Sequence, residues 1–303
     1  MAIKHLVLWL CAISYGILIS YLAPIWSFDY EALTASSAYY RQNGADSFMA
    51  LLGNNVVLLF IWDFFFASLT PSASVALLYG FAAAVRVLVY FSLFRFQLSL
   101  PMFIATAVFN DLNLCRYSLA LSLGLLALSR LGPIRAGILT FPLHIFTPAA
   151  IFMLSAWDKY WRVLIVCFLV LITFILPVLF GRHFSVLEDP FPRITYVYIG
   201  FTFVLLFGFR REISSHRFNF VALIFGLALF SIADIPFASA YYFRFSNLAY
   251  ESCLLLIAFH YSGLRNLSSL RISSMKYLYY IVGCSLGATY SFILIGGNIW
   301  RFF

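Results

Sequence analysis

Arginine and histidine side chains within or beside apolar segments are the groups of this sequence best suited to chemistry. Arg116 opens the run CRYSLALSLGLLALSR, His144 lies between two prolines in TFPLHIFTP, and Arg244 lies in YYFRFSNLAYE. A guanidinium group binds phosphate oxygens in bidentate fashion. An imidazole can act as a general acid or base, although a histidine between prolines can equally hydrogen-bond a carbonyl that a proline leaves free.

Further ionisable residues interrupt other apolar segments, where a charge is costly unless it faces a cavity or a partner. They include Asp63, Arg86, Asp111 and Glu251. Asp63 and Arg86 fall in consecutive segments, so we expect either an ion pair that fixes helix packing or a functional role. Asp111 lies just before the segment that Arg116 opens, and we expect it to cap that helix.

The composition places these side chains in a membrane protein. The chain has 303 residues, of which 64% are hydrophobic and only 10% are charged, whereas a soluble domain carries about 25% charged residues. The apolar runs are continuous and about twenty residues long, as a helix needs to cross a hydrocarbon core of about 30 Å. They lack the alternation of barrel strands. The sequence therefore predicts an all-α, polytopic integral membrane protein with about 10–11 transmembrane helices in a single domain, residues 1–303.

The apolar segments give the expected order of the spans. We place them near residues 5–24, 50–69, 72–92, 97–112, 114–129, 136–156, 163–180, 194–209, 218–238, 247–263 and 277–297. The two longest polar connections, 25–48 and 181–193, are predicted to be periplasmic.

Charged residues between the spans bear on the orientation, because cytoplasmic loops are enriched in Lys and Arg. If every span crosses fully and the N-terminus is inside, all three lysines, Lys4, Lys159 and Lys276, are cytoplasmic. The basic residues left outside are then all arginines, and they include Arg41, Arg95, Arg130 and Arg135. The last two fit this topology poorly, and one re-entrant segment would reverse the first half relative to the second.

Several function classes lack support in the sequence. The net charge is +8, but no basic stripe lies on a soluble face, so we expect no nucleic acid partner and favour anionic lipid or an anionic substrate. The five cysteines form no CxxC pair. Motifs of the forms GxxxxGK[ST], HExxH and DxD are missing. We therefore expect no cofactor, no metal and a substrate that is already activated.

One stretch of the sequence resembles the polysaccharide polymerases of the O-antigen polymerase (Wzy) family, especially the EpsG-like branch. The segment NDLNLCRYSLALSLGLLALSR, a short basic turn and GILTFPLHIFTPAAIF follow the pattern of that branch. The matching positions are Arg116, Ala120, Arg130, Arg135, Leu143 and His144. FDYEALTASSAYYR is similar to its outer segment, and RFSNLAY, with Arg244 and Tyr250, is similar to its arginine-to-tyrosine pattern.

The resemblance implies a metal-independent glycosyltransferase of the bacterial inner membrane with its active site facing the periplasm. It would transfer a glycan from undecaprenyl diphosphate to a sugar hydroxyl of another lipid-linked repeat unit, for O-antigen or capsule. Arg116 and Arg244 would hold the diphosphate, and His144 would act as acid/base or phosphate donor. Candidate substrate contacts are Asp29, Arg41, Asp46, Arg86 and Tyr250. The expected partners are the lipid-linked oligosaccharide, membrane lipid and a chain-length regulator protein.

Other readings of the same residues stay open. A lipid-linked oligosaccharide flippase or transporter would also place cations in a membrane cavity, but usually shows internal repeats, and none is visible here. A membrane acyltransferase modifying surface glycans, or a non-catalytic membrane scaffold, is also compatible with the composition.

Overall fold

The computed structural model describes residues 2–27, 29–44, 57–141, 143–144, 147, 151, 192–211, 239–262 and 272–299. All regular structure in this part of the chain is helical. The helices are α1 (Ala2–Trp26), α2 (Tyr30–Asn43), α3 (Val57–Phe65), α4 (Pro71–Leu93), α5 (Phe96–Asn113), α6 (Cys115–Leu131), α7 (Pro133–Thr140), α8 (Pro192–Gly208), α9 (Ser239–Ser262) and α10 (Ser274–Ile299).

Two of the described helices are long and apolar enough to cross a membrane. They are Ile3–Trp26, with a mean hydropathy of 2.1, and Pro71–Leu93, with a mean hydropathy of 1.8. Only 22% of the first is buried within the bundle, and Ile3, Leu10 and Ile17 each expose half or more of their surface. An apolar surface this large needs a partner or lipid to cover it.

Most of the described helices occupy the predicted apolar segments, but α2 does not. Within segment 50–69 the structure describes α3, Val57–Phe65, and residues 50–56 lie outside the described part. Segment 25–48, expected only as a polar connection, contains the helix α2. Segments 163–180 and 218–238, residues 181–191 of the connection 181–193 and most of 141–156 lie outside the described residues.

Helices α1 and α4 pack antiparallel at a close crossing of two glycines. A Cβ atom on Gly80 would lie 2.0 Å from Ser20 Oγ and 2.5 Å from the Gly16 carbonyl oxygen. A Cβ atom on Gly16 would lie 2.6 Å from the Gly80 carbonyl oxygen. Small residues of this kind let two apolar helices approach without help from the hydrophobic effect.

The directions of the helices show which chain segments share an end of the bundle. Tyr30 donates to the Ser72 carbonyl at 2.8 Å, so the end of α1 and the start of α4 lie together. The chain turns back after α4, and Ser99 Oγ of α5 donates to the Tyr90 carbonyl at 3.2 Å. Helix α6 then runs parallel to α4, because Cys115 lies beside Tyr79 and Ser118 beside Arg86.

Basic residues are concentrated at one end of this bundle. Tyr277 at the start of α10 donates to the Gln97 carbonyl at 3.3 Å, and Gly208 at the end of α8 packs on Tyr279. Arg95 and the last turn of α6 lie at this same end. The residues gathered there are Lys4, Arg95, Arg130, Arg135, Arg210, Arg211 and Lys276. We call this set the basic end.

The basic end differs from the topology in which every predicted span crosses the membrane fully. That alternation placed Lys4 on one side of the membrane and Arg95, Arg130 and Arg135 on the other. The structure places all four at the same end, because α1 and α4 run antiparallel and Lys4 lines one cavity with Phe91 and Phe96.

Candidate functional site

A small cleft brings together side chains that lie far apart in the sequence. Its lining includes Asp29, Arg116, Tyr117 and His144. The cleft lies toward the end opposite Lys4, because Asp29 follows the 25-residue helix α1, which is about 37 Å long. Its volume is about 10 Å³, close to the space that one water molecule needs. Two of the three predicted catalytic residues, Arg116 and His144, therefore share one site with the predicted substrate contact Asp29.

A hairpin of two helices places His144 beside Arg116. Helix α6 ends at Gly132, whose φ of 81° and ψ of 171° belong to a region that essentially only glycine occupies. Pro133 then begins α7, which runs back along α6, so that a Cβ atom on Gly124 would contact Thr140 Cγ2 at 2.9 Å.

The imidazole of His144 lies just beyond α7. The His144 backbone N–H donates to the Thr140 carbonyl at 3.0 Å, which continues the helical path by one turn. Its ring meets the Tyr117 ring edge to face, with centroids 5.4 Å apart. Only 9% of the residue is exposed. The histidine is thus held in a fixed position at the wall of the cleft.

The first turn of α6 gives the cleft a positive electrostatic character. The N-cap residue, Leu114, makes no side-chain hydrogen bond to the backbone N–H groups of the first turn. These groups and the helix dipole favour an anion. A cation at this position is unfavourable for the helix itself, yet Arg116 occupies it. That conflict between local preference and sequence is typical of a functional site.

Asp29 supplies the acid of the cleft. It is the N-cap residue of α2, but its side chain makes no capping hydrogen bond to that helix. Its carboxylate lies opposite the basic first turn of α6, so the cleft combines an acid, a guanidinium and an imidazole. Such a set can bind a phosphate group on one side and a hydroxyl group on the other.

Beside the cleft lies a fully buried ionic cluster, which we define as Arg86, Asp111 and Glu251. Arg86 donates to Glu251 Oε1 at 2.6 Å and to Asp111 Oδ1 at 3.3 Å. The guanidinium carbon also lies 4.9 Å from the centre of the Tyr90 ring. All three charged residues have no exposed surface. The cluster joins α4, α5 and α9.

Polar neighbours complete the cluster and connect it to the cleft. Asn110 donates to Glu251 Oε2 at 2.9 Å, and Asn247 donates to Asn110 Oδ1 at 2.8 Å. Ser118 donates to Asp111 Oδ1 at 2.5 Å. Ser118 lies two residues after Arg116, so the cluster fixes the helical turn that carries the arginine of the cleft.

The structure replaces the predicted pair of Asp63 and Arg86. Asp63 instead accepts from Arg41 at 2.7 Å and from Ser74 at 2.7 Å. Arg41 also donates to the Ala67 carbonyl at 3.2 Å and to the Leu69 carbonyl, just after the end of α3. Arg41 therefore stabilises the C-terminal end of α3.

The expected cap by Asp111 is wrong. Asp111 lies within α5, its carboxylate accepts from Arg86, Ser118 and Tyr15, and the N-cap residue of α6 is Leu114. Burial explains the difference, since a carboxylate paired with a buried guanidinium gains more than it would at an exposed helix end.

The remaining predicted site residues lie elsewhere. Tyr250 is buried, and its hydroxyl donates to the Gly283 carbonyl at 2.7 Å, which ties α9 to α10. Arg244 lies on α9, but its side chain is outside the described part of the structure, as is all of Asp46. Their proposed contacts with substrate stay predictions.

Sequence reasoning assigned no site role to Tyr117 or to the Asn110–Asn247 pair. Tyr117 carries no distinctive signal, because aromatic residues are frequent throughout the chain. An asparagine repeated in two apolar segments is a weak signal of an interhelical hydrogen bond, and it could have suggested the second pairing.

Comparisons with known proteins add no family to this picture. The chain matches no known family model, no curated protein and no solved structure.

Proposed function

We propose that the chain is a polysaccharide polymerase of a bacterial inner membrane. It would transfer a glycan from undecaprenyl diphosphate to the sugar hydroxyl of another lipid-linked repeat unit. The observation that supports this proposal best is the cleft, which holds Arg116, His144 and the start of α6 together. The resemblance of the α6–α7 segment to O-antigen polymerases agrees with it.

The reaction divides naturally between these groups. The acceptor hydroxyl oxygen bonds to the anomeric carbon while the bond from that carbon to the diphosphate oxygen breaks. His144 takes the hydroxyl proton as a general base. Arg116 and the first N–H groups of α6 stabilise the negative charge that grows on the leaving diphosphate. The lipid diphosphate supplies the driving force, so the step needs no nucleotide.

The size of the cleft limits what it holds. A volume of about 10 Å³ fits a single hydroxyl group rather than a sugar ring. In this proposal the acceptor hydroxyl lies between His144 and Arg116, while the rest of the glycan lies outside the cleft.

The distribution of charge supports a membrane orientation for the bundle. The basic end would face the cytoplasm, following the enrichment of Lys and Arg in cytoplasmic loops. The cleft would then lie toward the periplasmic side, where the lipid-linked repeat units are polymerised in this proposal.

Replacing Arg116 tests the proposal directly. We expect Arg116→Ala to collapse the ladder of surface polysaccharide on a gel to a single-repeat band, because the developing charge loses its main partner. Arg116→Lys should restore little polymer, since an ammonium group cannot bind in bidentate fashion. Immunoblotting of membranes would confirm equal amounts of protein.

Arg130→Ala is the matched control. Arg130 is an exposed arginine on the same helix, about 21 Å from Arg116 along its axis, and its loss should leave the ladder intact. A normal ladder from Arg116→Ala at normal protein levels would refute the role of this arginine. Repeat units trapped on the cytoplasmic side would instead indicate a flippase.

A further inference from the structure

A second cavity lies near the basic end, on the side of the bundle formed by α1, α4 and α5. It is a groove of about 780 Å³, within the size range of pockets that bury a small molecule. Its walls are mainly apolar, and several of them are aromatic. They include Val7, Leu8, Phe91, Phe96, Leu100 and Phe103.

The two ends of the groove differ in character. Lys4 and His5 lie at one end, and both are exposed. Tyr15 lies at the other end, where its ring packs edge to face on Phe103 with centroids 5.1 Å apart. Within the described part of the chain, no acidic side chain lines the groove. It therefore offers a cationic mouth and an apolar interior.

The length of the groove matches one leaflet of a bilayer. Lys4 and Tyr15 are about 16 Å apart along the axis of α1, and half of a hydrocarbon core of about 30 Å is about 15 Å. An acyl chain that enters beside Lys4 would end near Tyr15, in the middle of the membrane.

We propose that this groove binds one acyl chain of an anionic phospholipid from the surrounding bilayer, with its phosphate beside Lys4. The apolar walls cover the chain, and the ammonium group of Lys4 neutralises the head group. The inference rests on the membrane location in the proposed function, but not on polymerase activity. The groove lies at the end of α1 opposite the cleft, so its lipid is distinct from the substrate.

The groove also has a polar connection to the interior. The Tyr15 hydroxyl donates to Asp111 Oδ2 at 3.1 Å, and Asp111 belongs to the buried ionic cluster. A bound acyl chain would pack against Tyr15 and hold it in this position.

Native mass spectrometry of the full chain in detergent, with added dioleoyl phosphatidylglycerol, tests the proposal. The wild-type protein should retain one more phosphatidylglycerol than Leu8→Trp, whose indole fills the groove. Ile13→Trp is the matched control, because Ile13 is exposed on the same helix outside the groove, and it should retain the wild-type number. Gel filtration would show that all variants remain folded.

The head group is tested separately. Lys4→Gln should bind phosphatidylglycerol about fivefold more weakly, as expected for the loss of one basic residue near an anionic membrane surface. Phosphatidylcholine should bind less well than phosphatidylglycerol to the wild-type protein. Equal lipid retention by wild type and Leu8→Trp, equal binding of the two phospholipids, or preferential retention of a polyprenyl phosphate would each overturn the proposal. Polymer ladders do not enter this test, so its failure is distinguishable from failure of the polymerase proposal.

Discussion

At the scale of single residues, the main feature is the buried ionic cluster, whose charges are costly to bury. One guanidinium, on Arg86, faces two carboxylates, on Asp111 and Glu251, with no exposed surface on any of the three. Moving such charges out of water costs several kcal/mol per ion, on the order of what their mutual attraction returns. The cluster is therefore a weak source of net stability but a strong constraint on which helices can pack together.

Removing the guanidinium group from the ionic cluster should test how strongly the cluster holds these helices together. We expect Arg86→Met to destabilise the folded state by about 3–5 kcal/mol, because two buried carboxylates lose their only cation in the cluster. Thermal unfolding in detergent, followed by circular dichroism, would measure the change. Arg95→Met, at an exposed position, should alter stability by less than about 0.5 kcal/mol. Equal effects of the two substitutions would contradict the structural role of the cluster.

At the scale of helices, glycines decide how closely the elements approach. Where α1 and α4 cross, a Cβ atom added to Gly16 or to Gly80 would lie less than 3 Å from the carbonyl oxygen of the other glycine. The backbone would have to shift to make room for it. The turn at Gly132 determines that α7 returns along α6. The first feature sets the packing of the exposed helix α1, and the second brings His144 to Arg116.

The glycine crossing gives a test at this scale. Gly80→Ala should destabilise the protein by about 1–3 kcal/mol, since the added methyl group overlaps the Gly16 carbonyl oxygen and α1 must move outward. Gly200→Ala is the control, because nothing lies within 4 Å of the added atom and alanine favours the helix by up to about 1 kcal/mol. Unfolding in detergent would compare the two. A neutral Gly80→Ala would show that the helices do not cross this closely.

At the scale of the whole molecule, the two ends of the bundle differ. Positive charge is concentrated at the basic end, and the cleft lies toward the opposite end. Seven basic residues share the basic end, whereas Asp29 and Glu31 lie where α1 ends and α2 begins. In a bilayer this asymmetry would fix the orientation of the chain during insertion. It also separates the groove beside Lys4 from the cleft beside Asp29.

Cysteine labelling in cells would test this orientation. In a cysteine-free background, Ala35→Cys on the exposed surface of α2 should react with an impermeant maleimide in cells whose outer membrane is permeabilised. Arg95→Cys should react only after the inner membrane is also opened, because the structure places it at the same end as Lys4. Labelling of Arg95→Cys from the periplasm would instead support strict alternation of all predicted spans.

The sequence by itself determined the helical class and the positions of most described helices, because continuous apolar runs of about twenty residues have few alternatives to a helix. It also singled out Arg86, Asp111 and Glu251, since a charge in an apolar segment is costly unless it faces a partner or a cavity. Tertiary structure alone decided their partners. Arg86 meets Glu251 across 165 positions of chain, and local pattern carries no information on such a contact. The cleft was equally unpredictable. The α6–α7 hairpin packs beneath Asp29 and so brings Asp29, Arg116 and His144 together, although their spacing in the sequence does not indicate a contact.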